Sequence, residues 1–304
     1  MTGVITRGNF PKLLWPGLNK VWGTAYNQYP AQWSQVFDDS KASNMAYEED
    51  VEATGFGLAS IKTEGGSISY DSHSQGPTTR YTHVTYALGF QCTREEEEDN
   101  KYEKVAKGRT RMLAFSMRQT KEIVLANIFN RAFNSSYTGG DGKEMVATDH
   151  PIVAGTQSNE LSPAADLSEA ALESMLIQIG DATNSRGLKI RLQGRKLIVP
   201  NALQFEAERI LNSNLRPGTA NNDVNAMRSM GKLPDGVFVW NYLTDTDAFF
   251  IKTDSPDSVK HFTRRAVEFK QDNDFDTENH KYKSTERYSA GWSDFRGIFG
   301  SEGV

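Results

Sequence analysis

Residues 93–133 read TREEEEDNKYEKVAKGRTRMLAFSMRQTKEIVLANIFNRAF. Apolar side chains recur at Tyr102, Val105, Met112, Leu113, Met117, Val124, Ile128 and Ala132, close to the helical period. Thr93 stands where an N-cap is wanted, and Glu96 follows at the capping-box spacing. The carboxylates of residues 95–99, Glu95 first, fall in the opening turns, where the positive end of the helix dipole favours them. Asn134, two serines and then Gly139-Gly140 stop the pattern. A helix of about 40 residues spans roughly 60 Å, with a bend available at Gly108. This is too long for a compact α/β core and is expected to be a spine. With no histidine or second acid cluster near it in sequence, the acidic run reads as a helix start, not a metal site.

Before the spine, residues 56–92 read as a long hairpin. FGLASIKTE is the outgoing arm, Gly65-Gly66 and Gly76-Pro77 are turn signals, and RYTHVTYALGFQC is the return. On the return arm Val84, Tyr86, Leu88 and Phe90 share one face, and Tyr81, His83 and Thr85 the other. Thirteen such residues extend about 40 Å at ~3.3 Å each, more than one domain buries. The polar stretch EGGSISYDSHSQGP is expected to project. Earlier still, NFPKLLWPGLNKVWGTAYNQYPAQW carries Trp15, Trp22 and Trp33 among prolines at 11, 16 and 30, which argue against a long helix. These aromatics either dock on the chain's own core or lie as an arm on another subunit. SKASNMAYEED follows as a polar joint.

After the spine, GGDGKEMVATDHPIVAGTQ reads as a loop or short hairpin. DLSEAALESMLIQIGDATNSRG is an amphipathic helix capped by Ser168. RKLIVP is a short buried strand and ALQFEAERILNS a helix. VFVWNYL and AFFIKT flank Thr244-Asp245-Thr246-Asp247 as a second hairpin. HFTRRAVEFK and HKYKSTERYSAGW are paired strands joined by QDNDFDTEN.

Composition narrows the function. The chain has 304 residues, 38% hydrophobic and 24% charged, enough to bury a core and unlike a disordered sequence. A net charge of −5 argues against affinity drawn mainly from phosphates. Cys92 is the single cysteine, so no intrachain disulfide forms. MTGVITRGNF has no apolar signal region, and no run approaches the ~20 apolar residues of a membrane span. No membrane partner is expected.

Chemical motifs fail in detail. The five histidines are scattered and no zinc pattern exists. The GGDGK run has Tyr137 and Glu144 where a phosphate loop needs Gly and Ser or Thr. Arg287 replaces the first glycine of a nucleophile elbow at Ser289. Asp272, Asp274 and Asp276 alternate like a calcium loop, but Lys283 stands at its twelfth position. An enzyme built from dispersed residues would have Asp149, His150, Asp245 and Asp247 as its candidates; turn chemistry accounts for the two in the TDTD loop. No catalytic residue, metal or cofactor is assigned.

In order, an aromatic arm, a projecting hairpin, a spine, an α/β segment and returning strands resemble the major capsid protein of tailed bacteriophages, the α+β Hong Kong 97-type fold, including the group of the Mu-like major head subunit. The most specific stretches are LIVPNALQFEAERIL, NNDVN, VWNYLTDTDAFFIKT and RYSAGWSDFRGIFG. The resemblance implies an N-terminal arm (1–50), an E-loop (51–92), a P-domain with its spine (93–164), an A-domain (165–258), and P-domain return strands with a tail (259–304). It implies a virion protein, assembled in the host bacterial cytoplasm, that closes hexamers and pentamers of itself into an icosahedral shell around double-stranded DNA. Separate scaffold, portal and maturation protease proteins, and weak contact with the packaged DNA, come with it. A nanocompartment shell (encapsulin) is the alternative within the fold. Inter-subunit contacts are expected at Trp15, Trp22, Lys62, Glu64, Arg80, Glu95, Glu96, Arg287, Trp292 and Arg296. Arg287 and Arg296 are expected to pair with acids, the run from Glu95 being one candidate, and residues 295–299 to fix the tail on the spine or a neighbour. Lys62 sits where a founding relative cross-links, but no partner for it is evident and no cross-link is expected.

Overall fold

The computed structural model describes residues 11–93, 95, 102–215, 224–256, 258–274 and 279–304. Helix α1, Pro11–Tyr26, corrects the expectation that prolines exclude a long helix at this end. Pro11 opens it, where a missing N–H is harmless, and Pro16 forfeits one rung near the start. Among the described residues the spine, α2, runs Tyr102–Asn130; the start expected ahead of it, with the capping role of Glu96, lies largely outside the described residues.

Strand β1 is Asp38–Ala42, β2 is Tyr47–Ala53, β3 is Gln75–Thr82 and β4 is Val84–Cys92. The supposed polar joint is therefore mostly strand. The supposed single return arm is two strands broken at His83. β3 pairs with β2, whereas β4 leaves the hairpin to pair with β11, His280–Trp292. With β10, Val259–Asn273, these make a sheet ordered β1-β10-β11-β4, in which β1 runs parallel to β10 and the other pairs are antiparallel. Alternation along β11 sets its two faces. Tyr282, Ser284, Glu286 and Tyr288 are buried beneath α1 and α2, and Lys281 and Lys283 are exposed on the other face.

Strands β5, His150–Ile152, and β6, Gly155–Gln157, form the short hairpin expected there. Helix α3, Glu169–Asp181, is capped as expected: Ser168 Oγ accepts from the Ala171 N–H at 3.2 Å. A second sheet, ordered β12-β9-β7-β8, comprises β7 (Gly194–Val199), β8 (Val237–Val239), β9 (Phe249–Thr253) and β12 (Ile298–Ser301). Its face packs against α3 and α4, Gln204–Asn212, with α5, Ala226–Met230, beside them. β8 and β9 are not the hairpin expected. β7, with Leu197, Ile198 and Val199 fully buried, takes the central place and pairs with both. β12 adds to the expectation for the tail: it completes this second sheet while Ile298 packs in the core beneath α2.

Two cores meet across these layers. Phe129, Trp240, Phe250, Tyr288 and Ile298 belong to one, beneath α2; Leu172, Met175, Ile251 and Phe299 belong to the other, beneath α3. Burying each such side chain contributes on the order of 1.5–3 kcal/mol.

Candidate assembly surfaces

Between β2 and β3 the chain makes an excursion, residues 54–74, that finds almost no cover. Phe56 (57% exposed), Leu58 (84%), Ile61 (96%), Ile68 (64%) and Tyr70 (94%) stand in solvent. Its two arms are held by side-chain rungs instead of a ladder. Gly57 N–H donates to Asp71 Oδ2 (2.8 Å), Ser60 and Ser69 hydroxyls meet at 2.6 Å, and Thr54 Oγ1 donates to Ser74 O (3.0 Å). The Gly57 and Ser72 backbone N–H groups hold the Asp71 carboxyl below its usual pKa. At the tip Gly65 adopts φ +74, a conformation glycine reaches without strain. Lys62 and Glu64, beside this turn, are exposed.

The base of the hairpin is tied to the body. Asp50 on β2 accepts from Lys260 Nζ (2.7 Å) and Ser293 Oγ (2.6 Å). Glu52 accepts from Ser185 Oγ and pairs with Arg296 at 3.5 Å. His83 sits where β3 gives way to β4, buried between two hydroxyls: Ser43 Oγ at Nε2 and Ser289 Oγ at Nδ1, both 2.9 Å. Ser43 lies between β1 and β2, so one imidazole joins both strands at the point where they leave the body. Burial, then Arg287 and Arg264, depress the His83 pKa, favouring a neutral ring that donates through one nitrogen and accepts through the other.

The spine is fastened from the other side by buried charge. Glu122 accepts the backbone N–H groups of Gln32 (2.9 Å) and Trp33 (3.1 Å). Lys121 Nζ lies 3.4 Å from Glu286 and over two rings, 5.1 Å from the Trp33 centroid and 4.8 Å from that of Tyr288. Burial raises the carboxyl pKa of Glu122 and of Glu286 and lowers that of Lys121, with the partners opposing. Burial also pushes Tyr26 up to about 12 and His261, beside Trp33 and facing Lys121, down to about 3. The sequence carried a signal for this network that periodicity alone overlooks: Lys121-Glu122 interrupts the apolar stripe between Met117 and Leu125.

A second hub has no sequence signature. Asn159 Nδ2 donates to the carbonyls of Met145 (2.8 Å), Phe295 (3.0 Å) and Ile298 (2.8 Å). Its Oδ1 faces Ala147 N–H (2.8 Å) and His150 Nε2 (3.0 Å), and His150 Nδ1 lies 2.6 Å from Asp141. The His150 ring stacks on Phe295 at 4.0 Å. The adjacent Asp149 turns away to Lys143, and Asp245 accepts from the backbone N–H groups of Asp247 and Ala248. Asp149, His150 and Asp245 thus hold local structure, and Asp247 contributes its backbone N–H. Among the described residues no group of three His, Cys, Asp or Glu side chains could hold a metal, and no helix is long and apolar enough to cross a membrane.

The expected contact residues divide four ways. Lys62, Glu64 and Arg80 project with the hairpin, Arg80 stacking 3.6 Å over Tyr47 and lying 3.8 Å from Glu49. Glu95 is exposed; Glu96 and the Trp15 side chain lie outside the described residues. Trp22, Trp292 and Arg296 serve the chain's own packing. Trp22 is buried, stacked on Tyr26 (5.0 Å) and Phe269 (5.9 Å). Trp292 is half-buried against the first core, so close to Gly139 that a Cβ there would fall 2.7 Å from its Nε1. Arg296 is 3% exposed, donates to Thr183 O (2.6 Å) and pairs with Asp294 (3.0 Å) and Glu52; the run after Glu95 lies outside the described residues. Arg287 is half-buried on the outer sheet face, opposite Arg265. One more uncovered surface lies between α1 and α2, a cavity of about 460 Å³ lined by Tyr29, Met112 and Phe115 beside Arg111.

An architecture of two sheets, a spine and a projecting hairpin is shared with shell-forming proteins. A chain of the capsid of a native GTA particle matches over 89% of this chain and 90% of its own at 9% identity, with a TM-score of 0.56. A chain from Mycobacterium phage Patience matches over 99% and 89% at 11% identity and 0.55, and one from Microbacterium phage Oxtober96 over 90% of each at 10% and 0.52. The likeness is one of fold, the Hong Kong 97-type capsid fold. No curated protein matches. The phage capsid protein model matches residues 76–300, well over half of the chain, and the chain belongs to that family. It is a structural major capsid protein, which assembles with copies of itself into an icosahedral shell and resides in the virion capsid.

Proposed function

We propose that this chain closes hexamers and pentamers into the shell around double-stranded phage DNA, with no catalytic step of its own. The observation that carries this is the 54–74 excursion, whose five large apolar side chains are more than half exposed in the isolated chain. Such side chains are costly to leave wet, and neighbouring copies are their natural cover. In this reading residues 1–50 are the arm and 51–92 the E-loop, its projecting part being β2, β3 and the loop between. Residues 93–164 and 259–304 build the P-domain around α2, and 165–258 the axial A-domain. β12 carries the last strand of the P-domain segment into the sheet of the A-domain. Shell assembly in the host cytoplasm, a separate scaffold, a portal and a maturation protease complete the reading, and packaged DNA meets the shell weakly.

Expression of the chain followed by size-exclusion chromatography and negative-stain imaging tests it. Closed particles with five-fold and six-fold rings are the expected result. A compact monomer or dimer that stays so at high concentration overturns the reading.

A further inference from the structure

The register of β10 on β11 places Arg265 directly opposite Arg287, and Lys270 opposite Lys283, on the sheet face turned away from α1 and α2. Like charges directly opposite each other destabilise a sheet. The lysine pair is relieved at Lys270, whose Nζ lies 2.7 Å from Glu268. Among the described residues Arg265 and Arg287 have no ion pair of that kind. Glu268, whose charge acts on Arg265, is held by Lys270, and Arg287 Nε is buried with no hydrogen-bond partner among the described residues. Their position is also particular. Ser289 is buried under the hairpin base beside His83, while Lys283 is open, so the two guanidinium groups stand where the face emerges.

Two facing guanidinium forks suit a carboxylate, which each can grip with paired N–H donors. The same face carries Glu268 and Asp272, so a duplex of phosphates laid along it would meet like charge; a single carboxylate fits better. The projecting excursion has two carboxylates. Asp71 is engaged by Gly57 N–H and lies 3.9 Å from Arg186. Glu64, exposed at the tip, makes no hydrogen bond or ion pair among the described residues. We propose that Arg265 and Arg287 receive the Glu64 carboxylate of a second copy of this chain. This rests on the shell reading, since it needs a neighbour whose excursion crosses this face.

The test is a charge exchange, with Arg265→Glu/Arg287→Glu on one side and Glu64→Arg on the other, scored by particle yield and by the melting temperature of unassembled subunit. Each side alone is expected to lower particle yield about ten-fold or more without moving the melting temperature, and the combination to restore it. A milder pair, Arg265→Gln/Arg287→Gln, is expected to lower yield less, with subunit melting unchanged, and guards against a folding defect in the reversed pair. Normal particles from either side alone, or no recovery in the combination, overturn the proposal while wild-type particles keep the shell reading intact. Intact shells that retain less DNA assign the arginines to phosphate and overturn it too. If the wild-type chain forms no particles, the shell reading fails first and takes this with it.

Discussion

Glu122 and Trp33, separated by 89 residues in sequence, are joined by a partly buried hydrogen bond in which the Trp33 backbone N–H donates to Oε2 at 3.1 Å. The other carboxylate oxygen takes the Gln32 N–H. One side chain thereby closes two donors of the segment leaving α1 and fixes it to the spine. Glu122→Ala strands both N–H groups and is expected to cost about 2–4 kcal/mol. Glu122→Gln keeps an acceptor oxygen and sheds a buried charge, so it is expected to cost less than half as much. Urea unfolding of unassembled subunit measures both.

His261 gives the subunit an acid-sensitive term of known sign. Its folded pKa is about 3 against an ordinary 6.5, so between those values the unfolded chain binds the proton and the folded one does not. Stability from this group is complete above pH 6.5 and is lost as pH falls toward 3, by at most ~1.4 kcal/mol per pH unit. Glu122 and Glu286, raised by burial, act oppositely, the fold losing stability as pH rises above 4.5. His261→Gln removes the first term and leaves the second. Its urea midpoint is therefore expected to fall less than that of wild type between pH 6.5 and 5.

Asn159 is expected to be intolerant of change. Alanine there strands three carbonyls, the Ala147 N–H and His150 Nε2, a loss of about 4 kcal/mol or more. Asn159→Asp puts a carboxylate against the three carbonyls and is expected to be no better. Soluble yield and thermal melting report both.

His83→Ala is expected to loosen the hairpin without loosening the spine. It removes the hydrogen bonds to Ser43 and Ser289, about 1–2 kcal/mol together. Hydrogen exchange is expected to quicken in Tyr47–Ala53 and Gln75–Thr82 and to stay unchanged along α2.

Local chemistry made much of this fold legible. Ser168 capped its helix, the Leu-Ile-Val run of β7 was buried, and aspartates filled the TDTD turn, because each depends on neighbours a few residues away. What failed depends on distant partners. Nothing within VFVWNYL or AFFIKT says that β7 will come between them. The strand run from Arg80 to Cys92 looks continuous until Ser43 and Ser289 claim His83 and divide it. The projecting excursion was legible because a failure to find cover leaves its mark in composition, as apolar residues among turn residues. Trp22 and Arg296 are buried within the chain because an aromatic or arginine suited to a neighbour is equally suited to its own core. Trp22 found Phe269, and Arg296 found Glu52, each more than 200 residues away in sequence.

The sheet holding β4 cannot close until residues 259–292 have been made, and the sheet holding β7 waits for residues 298–301. A chain cut before residue 280 lacks the strand that β4 pairs with, and one cut before residue 298 lacks an edge of the second sheet. Truncated products of either kind cannot offer finished surfaces to a growing lattice, so incomplete molecules are excluded from it by the order of the strands.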